Sequence, residues 1–268
     1  MDFSKVKLVV TDMDGTLLNS KGKVSSKFFN LFNEIKKQQI HFIAASGRQY
    51  QSIVHKLAPI KNDITIIAEN GGLAKQGDNE LLITNLQPKK IKNTILLLRK
   101  IKGTYIVLCG KNCAYIETKN SHFISIFSEY YSAYKIVEDL TKVQDDTFLK
   151  IAVYHFKCSE THIYPNVKHL ENEMQVIVSG KHWLDISHEN ANKGFALKIL
   201  QEKLGVSQEE TMVFGDYNND LKMLELAYYS YAMENAHPNV KETARFLTKN
   251  NNNEGVEIIL EELIKSKN

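Results

Sequence analysis

Short apolar runs alternate with amphipathic stretches in the first part of the chain and again from residue 188 onward. The apolar run at 7–10 predicts a strand that is buried on both faces of a parallel sheet. Strands are predicted up to Asp12, at 41–45 and at 64–68, with helices from Ser25 and near 49–57. This alternation is typical of an α/β domain.

The pattern changes between residues 83 and 187. Pro88 opens a predicted helix, since proline suits a first helical position, and two antiparallel hairpins are expected around 110–112 and 179–182. A short helix is expected near 161–171. We therefore predict a core domain of residues 1–82 and 188–268, with an α+β domain of residues 83–187 inserted into it. Two chain crossings between the domains would allow hinge closure.

Composition excludes several classes of protein. The chain has 268 residues, 43% of them hydrophobic and 24% charged, which is globular composition. Its net charge of +3 comes without a basic block, so no nucleic-acid partner is indicated. No apolar run approaches the ~20 residues of a membrane span, and no signal-like stretch precedes the first strand. We expect a cytoplasmic protein without a membrane partner; the sequence indicates no oligomeric state.

The most informative segment is Asp12-Met13-Asp14-Gly15-Thr16, at the end of the first predicted strand. Carboxylates at positions i and i+2 lie on the same side of a strand, and they repel unless a cation intervenes or one keeps its proton. Gly15 would let the backbone turn sharply. The alternative is an ordinary Asp-Gly turn with a capping aspartate.

Further candidates follow two other strands. Ser46-Gly47-Arg48 comes after the strand at 41–45, where a hydroxyl and a glycine amide can hold a phosphate oxygen. Asp216 and Asp220 follow a strand at 211–214, and Asp220 could also cap a helix that begins at Leu221.

Lys193 lies in the first turn of an amphipathic helix that Gly205 is expected to end. A lysine there faces the positive end of the helix dipole, and either a bound anion or solvent exposure would offset this.

The cysteines are Cys109, Cys113 and Cys158, and an odd number argues against a complete disulfide framework. Cys109 and Cys113 could form half of a zinc site, but no second Cys/His pair follows at zinc-finger spacing. Zinc is therefore disfavoured.

In this order, DxDGT, S-G-R, a lone lysine and GDxxND resemble the four motifs of the haloacid dehalogenase superfamily of phosphohydrolases. The closest likeness is to its Cof-type branch of sugar-phosphate and small-phosphate phosphatases. The segments at 69–72, 232–236 and 251–256 are also similar to that branch, except that Glu234 stands where the branch usually has glycine. The resemblance covers nearly the whole chain.

The resemblance implies a Rossmann-like three-layer core with a parallel sheet, below an α+β cap. It implies a Mg²⁺-dependent phosphatase that acts on small phosphorylated metabolites, sugar phosphates above all. Asp12 would be the nucleophile that forms an aspartyl-phosphate, and Asp14 the general acid and base. Mg²⁺ would be held by Asp12, the backbone carbonyl of Asp14 and Asp216, with Asp220 in support. Ser46, the Gly47 amide, Lys193 and Asn219 would bind the phosphoryl oxygens.

Two alternatives remain open. A phosphomutase would return the phosphoryl group to a sugar, whereas a phosphatase releases inorganic phosphate. A regulatory protein that binds a phosphometabolite without turnover would be expected to lack the nucleophile or the acid, yet Asp12 and Asp14 are both present.

Overall fold

The computed structural model describes residues 2–267, which contain two β-sheets. The strands are β1 (Leu8–Asp12), β2 (His41–Ala45), β3 (Thr65–Ala68), β4 (Leu73–Gln76), β5 (Asn79–Ile83), β6 (Thr104–Gly110), β7 (Ala114–Ile116), β8 (Tyr134–Ile136), β9 (Phe148–His155), β10 (Gln175–Val178), β11 (Trp183–Ser187), β12 (Thr211–Gly215), β13 (Tyr229–Met233) and β14 (Phe246–Thr248). The helices are α1 (Ser26–Lys37), α2 (Tyr50–Lys56), α3 (Pro88–Leu98), α4 (Ser121–Phe127), α5 (Ser159–His162), α6 (Tyr164–Val167), α7 (Lys193–Leu204), α8 (Leu221–Leu224), α9 (Pro238–Thr243) and α10 (Gly255–Lys267). None of the described helices is long and apolar enough to cross a membrane.

The larger sheet has the strand order β14-β13-β12-β1-β2-β3-β4-β5. Neighbouring strands from β14 to β3 pair in parallel, while β4 and β5 add an antiparallel edge hairpin. All five residues of β1 are buried, as the apolar residues at 8–10 predict, whereas Lys7 precedes the strand and is exposed. Because β1, β2 and β12 are parallel neighbours, the segments that follow them meet at one edge of the sheet, where α/β proteins bind ligands.

The smaller sheet is built entirely from strands between residues 104 and 187, in the order β10-β11-β9-β6-β7-β8. Its pairs are antiparallel, as expected, except that β7 and β8 are parallel. The insert is therefore not wholly antiparallel. Its apolar side chains form two clusters separate from the core of the larger sheet.

Several local sequence signals act as predicted. The Ser25 hydroxyl accepts a hydrogen bond from the Phe28 amide (3.0 Å) at the start of α1, α3 begins at Pro88, and Gly205 ends α7 in a left-handed conformation with φ of 63°. The short helix expected near 161–171 is not continuous. It is broken into α5, α6 and a 3₁₀ turn, because Pro165 in the first turn of α6 lacks the amide that would continue α5.

The edge strand β5 ends at Ile83, α3 begins at Pro88, and β11 ends at Ser187. The boundaries at 82/83 and 187/188 stay a prediction. The antiparallel hairpin of β4 and β5 was not expected, since its short strands lie between polar turns and are half exposed.

Candidate active site

Three carboxylates converge at the carboxyl end of the larger sheet. Asp12 is the last residue of β1, Asp216 directly follows β12, and Asp220 lies one turn further on. Carboxylate oxygens of all three lie within 4.8 Å of one another. Among the histidine, cysteine, aspartate and glutamate side chains of residues 2–267, these three form the group of three or more that is close enough to hold one metal ion. Cys109 and Cys113 are not part of such a group and are buried as free thiols.

Lys193 is the cation of this cluster. Its ammonium donates to Asp12 Oδ1 (2.5 Å) and to Asp220 Oδ1 (2.7 Å), and its side chain is completely buried. Solvent exposure is therefore excluded as the explanation for a lysine in the first turn of α7. Burial alone would lower the pKa of Lys193, but the charges of Asp12 and Asp220 outweigh it and raise that pKa. Lys193 therefore stays charged.

Asp220 turns back toward the site. Its Oδ2 accepts from the backbone amides of Asp216 (2.9 Å) and Tyr217 (3.1 Å), while Oδ1 faces Lys193. It makes no side-chain capping bond to α8, so the helix-cap alternative is wrong. The reason is competition between donors, because hydrogen bonds from an ammonium and two backbone amides stabilise the carboxylate better than a bond from a single helix amide.

The cluster carries more negative charge than Lys193 can balance. Burial raises the pKa of Asp12 to about 7, with Lys193 opposing that rise, and burial together with Asp12 and Asp220 raises the pKa of Asp216 to about 9. Three carboxylates and one ammonium leave an excess of two negative charges when all are ionised. Hard oxygen donors with that excess fit Mg²⁺ better than zinc.

A tight turn at Gly15 packs against Asp216. Gly15 has φ of 79°, and a Cβ atom there would lie 2.2 Å from Asp216 Oδ2, so only glycine fits. Thr16 donates its hydroxyl to Asp216 Oδ1 (3.1 Å). The turn after β1 is therefore fitted against Asp216, a long-range contact that a local Asp-Gly turn does not require.

Two asparagines, from the segments at 232–236 and 251–256, bond to the loop that follows β1. Asn235 donates to the carbonyl oxygen of Gly15 (2.8 Å), and Asn251 donates to that of Leu18 (2.8 Å). The backbone amide of Asn251 donates to Asn235 Oδ1 (3.2 Å). The segments at 232–236 and 251–256 therefore support the loop after β1.

Arg48 is a site residue to which the sequence analysis gave no role, although it stands third in the S-G-R motif. Its guanidinium donates two hydrogen bonds to Asp14, from Nε (2.7 Å) and Nη2 (2.6 Å), and a third to the carbonyl oxygen of Glu129. It also lies over the ring of Tyr130, 4.6 Å from the centroid. Arg48 is 6% exposed, whereas the side chain of Asp14 is 45% exposed. It thus links Asp14 to the inserted domain.

The remaining predicted residues lie around one cleft of about 310 Å³. Asp12, Asp14 and Asp216 form its floor, with Ser46, Gly47 and Asn219 beside them. The Ser46 oxygen accepts from the Arg48 amide (3.1 Å), which leaves the hydroxyl hydrogen available for a ligand. Lys193 contacts Asp12 from beneath the floor.

The opposite wall comes from the inserted domain. Its aromatic members are Tyr130, Tyr131, Tyr154 and Trp183, and polar residues of the β10–β11 turn, including Lys181 and His182, close one end. The ring of Trp183 packs edge-on against Tyr154 (4.9 Å) and Tyr130 (5.8 Å). Sequence reasoning missed this wall, because its residues come from three distant elements with no common motif.

Comparison with known proteins gives the family. Residues 9–260 match the model of the haloacid dehalogenase-like hydrolases. The chain is 29% identical over 267 residues to the 5-amino-6-(5-phospho-D-ribitylamino)uracil phosphatase YbjI of Escherichia coli K12, covering 97% of each chain. It is similar to the crystal structure of SMU.1108c from Streptococcus mutans UA159, with 27% identity, a TM-score of 0.90 and coverage of 97% and 99%.

A third similarity concerns the fold. The subclass IIB sugar phosphatase BT4131 matches with a TM-score of 0.82 at 19% identity, covering 96% of this chain and 98% of its own. The chain belongs to the haloacid dehalogenase-like hydrolases. The Cof-type resemblance, the Rossmann-like core with an inserted cap, and the expectation of a phosphatase are confirmed.

Proposed function

We propose that this phosphatase hydrolyses small phosphate monoesters, sugar phosphates foremost, with Mg²⁺ and through an aspartyl-phosphate on Asp12. The observation that carries the proposal is the convergence of Asp12, Asp216 and Asp220 around Lys193 at one end of the sheet. A phosphate dianion can enter such a site only if a further cation balances the charge.

The residues that would hold Mg²⁺ are Asp12, through a carboxylate oxygen, Asp14, through its backbone carbonyl, and Asp216. Asp220 would support them indirectly, since it fixes the backbone amides of Asp216 and Tyr217. When bound, the ion would neutralise charge on the carboxylates and on the phosphoryl oxygens.

In the first step, a carboxylate oxygen of Asp12 attacks phosphorus while the bond to the leaving oxygen breaks. Asp14 gives its proton to that oxygen. In the second step, Asp14 takes a proton from water, the water oxygen attacks phosphorus, and inorganic phosphate leaves with Asp12 restored. Lys193, the Ser46 hydroxyl, the Gly47 amide and Asn219 stabilise the phosphoryl charge.

The pairing of Asp14 with Arg48 has a consequence for this cycle. Both Asp14 oxygens accept from Arg48 in the described conformation, which suits the ionised carboxylate of the second step. As an acid, Asp14 must turn at least one oxygen toward the leaving group. Its 45% exposed side chain has room to do so.

The cleft supports a small leaving group. Its volume of about 310 Å³ lies at the lower end of the range for metabolite pockets. We propose residues 83–187 as the cap that selects this group, since Tyr130, Tyr154 and Trp183 line the same cleft as the carboxylates. Aromatic rings suit the apolar face of a sugar and also a planar ring. The uracil-containing substrate named for the Escherichia coli relative therefore belongs in the test.

The test is a phosphate-release screen over sugar phosphates, nucleotides, flavin mononucleotide, pyridoxal phosphate and that uracil compound, with Mg²⁺ and with chelator. We expect release with Mg²⁺ and none with chelator. Asp12→Asn should abolish turnover while the circular dichroism spectrum is unchanged, since the amide is nearly isosteric but a poor nucleophile. Phosphate release by this variant would refute the mechanism, and a phosphorylated isomer without phosphate release would indicate a mutase.

A further inference from the structure

A chain of polar side chains joins the cap to the phosphoryl-binding side of the cleft. Lys150 on β9 and Asp185 on β11 are brought together because these strands pair. Asp185 Oδ2 accepts from Lys150 Nζ (3.1 Å) and from Asn70 Nδ2 (2.6 Å). Asn70 Oδ1 accepts from Asn219 Nδ2 (2.9 Å). Lys150, Asp185 and Asn70 are each 4% exposed or less.

The order of donors and acceptors along this series of side chains fixes the orientation of each amide. An ionised carboxylate only accepts, so Asn70 turns its NH₂ group to Asp185 and leaves its carbonyl oxygen for Asn219. Asn219 then donates one N–H to Asn70. Its second N–H is the one that can donate to a ligand in the cleft. If Asn70 were reversed, its carbonyl would face the carboxylate of Asp185. In a buried setting that repulsion is costly, so one orientation dominates.

The same cluster holds the loop that carries Gly47. Lys150 donates to the Gly47 carbonyl oxygen (2.8 Å), and the Asn70 side chain lies 3.1 Å from where a Cβ of Gly47 would be. Glu69 and Asn70 have φ of 53° and 55°, and this left-handed backbone accompanies the burial of both side chains beside Lys150 and Asp185. The Glu69 carboxylate lies 3.0 Å from Lys150, so the ammonium keeps a partner if Asp185 is changed.

We propose that Asp185, held by Lys150, is a positioning residue for phosphoryl transfer: it sets the orientation of Asn70 and, through Asn70, that of the Asn219 amide. The inference rests on the proposed function in one respect, that Asn219 donates to a phosphoryl oxygen. The cap then has two roles. Its aromatic wall faces the leaving group, and its buried base orients a group that binds the phosphoryl oxygens.

The first test is Asp185→Asn, which keeps the shape of the side chain but can turn an NH₂ group toward Asn70, and the Asn70 amide then reverses. We expect kcat/KM to fall ~10–100-fold, the range for residues that orient a binding group. Inhibition by inorganic phosphate should weaken by a similar factor. The matched control is Asp146→Asn, since the Asp146 carboxylate accepts from the Asn112 and Cys113 amides in a cap turn that does not line the cleft. It should lower the thermal midpoint without changing kcat/KM.

The second test exchanges the two groups, Asn70→Asp together with Asp185→Asn. The amide nitrogen at 185 can replace Oδ2 and donate to the carboxylate at 70, which accepts from Asn219, so the polarity toward Asn219 is restored. Lys150 keeps Glu69 and the Gly47 carbonyl oxygen as its partners. We expect activity and phosphate inhibition to recover most of the loss. If the exchange variant is folded, as shown by circular dichroism, and is no better than Asp185→Asn, the inference is wrong. The exchange variant also tests the proposal if Asp185→Asn alone does not fold.

The third test separates this inference from the proposed function. In an Asn219→Ala background, Asp185→Asn should cost less than about threefold, because coupled residues are not additive. An equal loss in both backgrounds overturns the proposed relay, that is, the orientation of Asn219 by Asp185 through Asn70. If Asn219→Ala itself leaves kcat/KM and phosphate inhibition unchanged, the proposed role of Asn219 fails, and the relay with it. If Asn219→Ala is impaired but Asp185→Asn is not, the relay alone fails.

Discussion

Replacing Lys193 with methionine removes the ammonium that contacts the carboxylate cluster. The Lys193 nitrogen lies 2.5 Å from Asp12 and 2.7 Å from Asp220, and both carboxylates are 7% exposed or less. Methionine has a similar length but no charge, so these carboxylates would lose their partner while remaining buried. Removing one member of a buried ion pair costs ~3–5 kcal/mol. We expect Lys193→Met to lower the free energy of unfolding by about that amount in chelator.

The loss should depend on pH in a defined direction. Asp12 has a pKa raised to about 7, so at pH 5 it is largely protonated and gains little from the ammonium. As the pH rises through 7 the carboxylate ionises and the missing ammonium matters more. The deficit of Lys193→Met relative to the wild type should therefore grow between pH 5 and pH 8, and Mg²⁺ should reduce it.

Urea unfolding of both proteins at pH 5 and pH 8 measures this deficit. The matched control is Lys198→Met, an exposed lysine on the same helix, which should stay within about 0.5 kcal/mol of the wild type. The reasoning is refuted if Lys193→Met is no less stable than Lys198→Met at pH 8, or if its deficit is larger at pH 5.

Three further predictions concern the same site. Asp14→Asn should impair hydrolysis of an alkyl phosphate far more than that of an aryl phosphate, since the poorer leaving group needs the proton; equal losses in kcat would count against the acid role. Saturating Mg²⁺, at about 100 times its dissociation constant, should stabilise the wild type by ~2.7 kcal/mol in urea unfolding, and Asp216→Asn should lose most of this gain. Gly15→Ala should abolish phosphate release and lower the thermal midpoint, because its Cβ would meet Asp216; Gly77→Ala, with a φ of 56° but open space around it, should retain activity.

The class of fold and the strand ends that carry the candidate carboxylates follow from local patterns in the sequence. The apolar residues at 8–10, followed by an Asp-x-Asp-Gly turn, favour a strand with both faces covered, which puts Asp12 at a strand end. Parallel strands end at one edge of a sheet, which is why Asp12, Ser46 and Asp216 could be expected together. Such inferences hold because they depend on periodicities within a few residues.

The tertiary structure alone decided which partners those residues take. Asp220 could cap α8 by its local pattern, yet Lys193 and two amides draw its carboxylate into the site. Arg48 binds Asp14, and Asn70 binds Asp185 across 115 positions of the chain. Hydrogen bonds between distant segments leave no periodic signal in the sequence, because their geometry depends on how the two sheets pack. The proposed relay from the cap to the phosphoryl site exists only at that level.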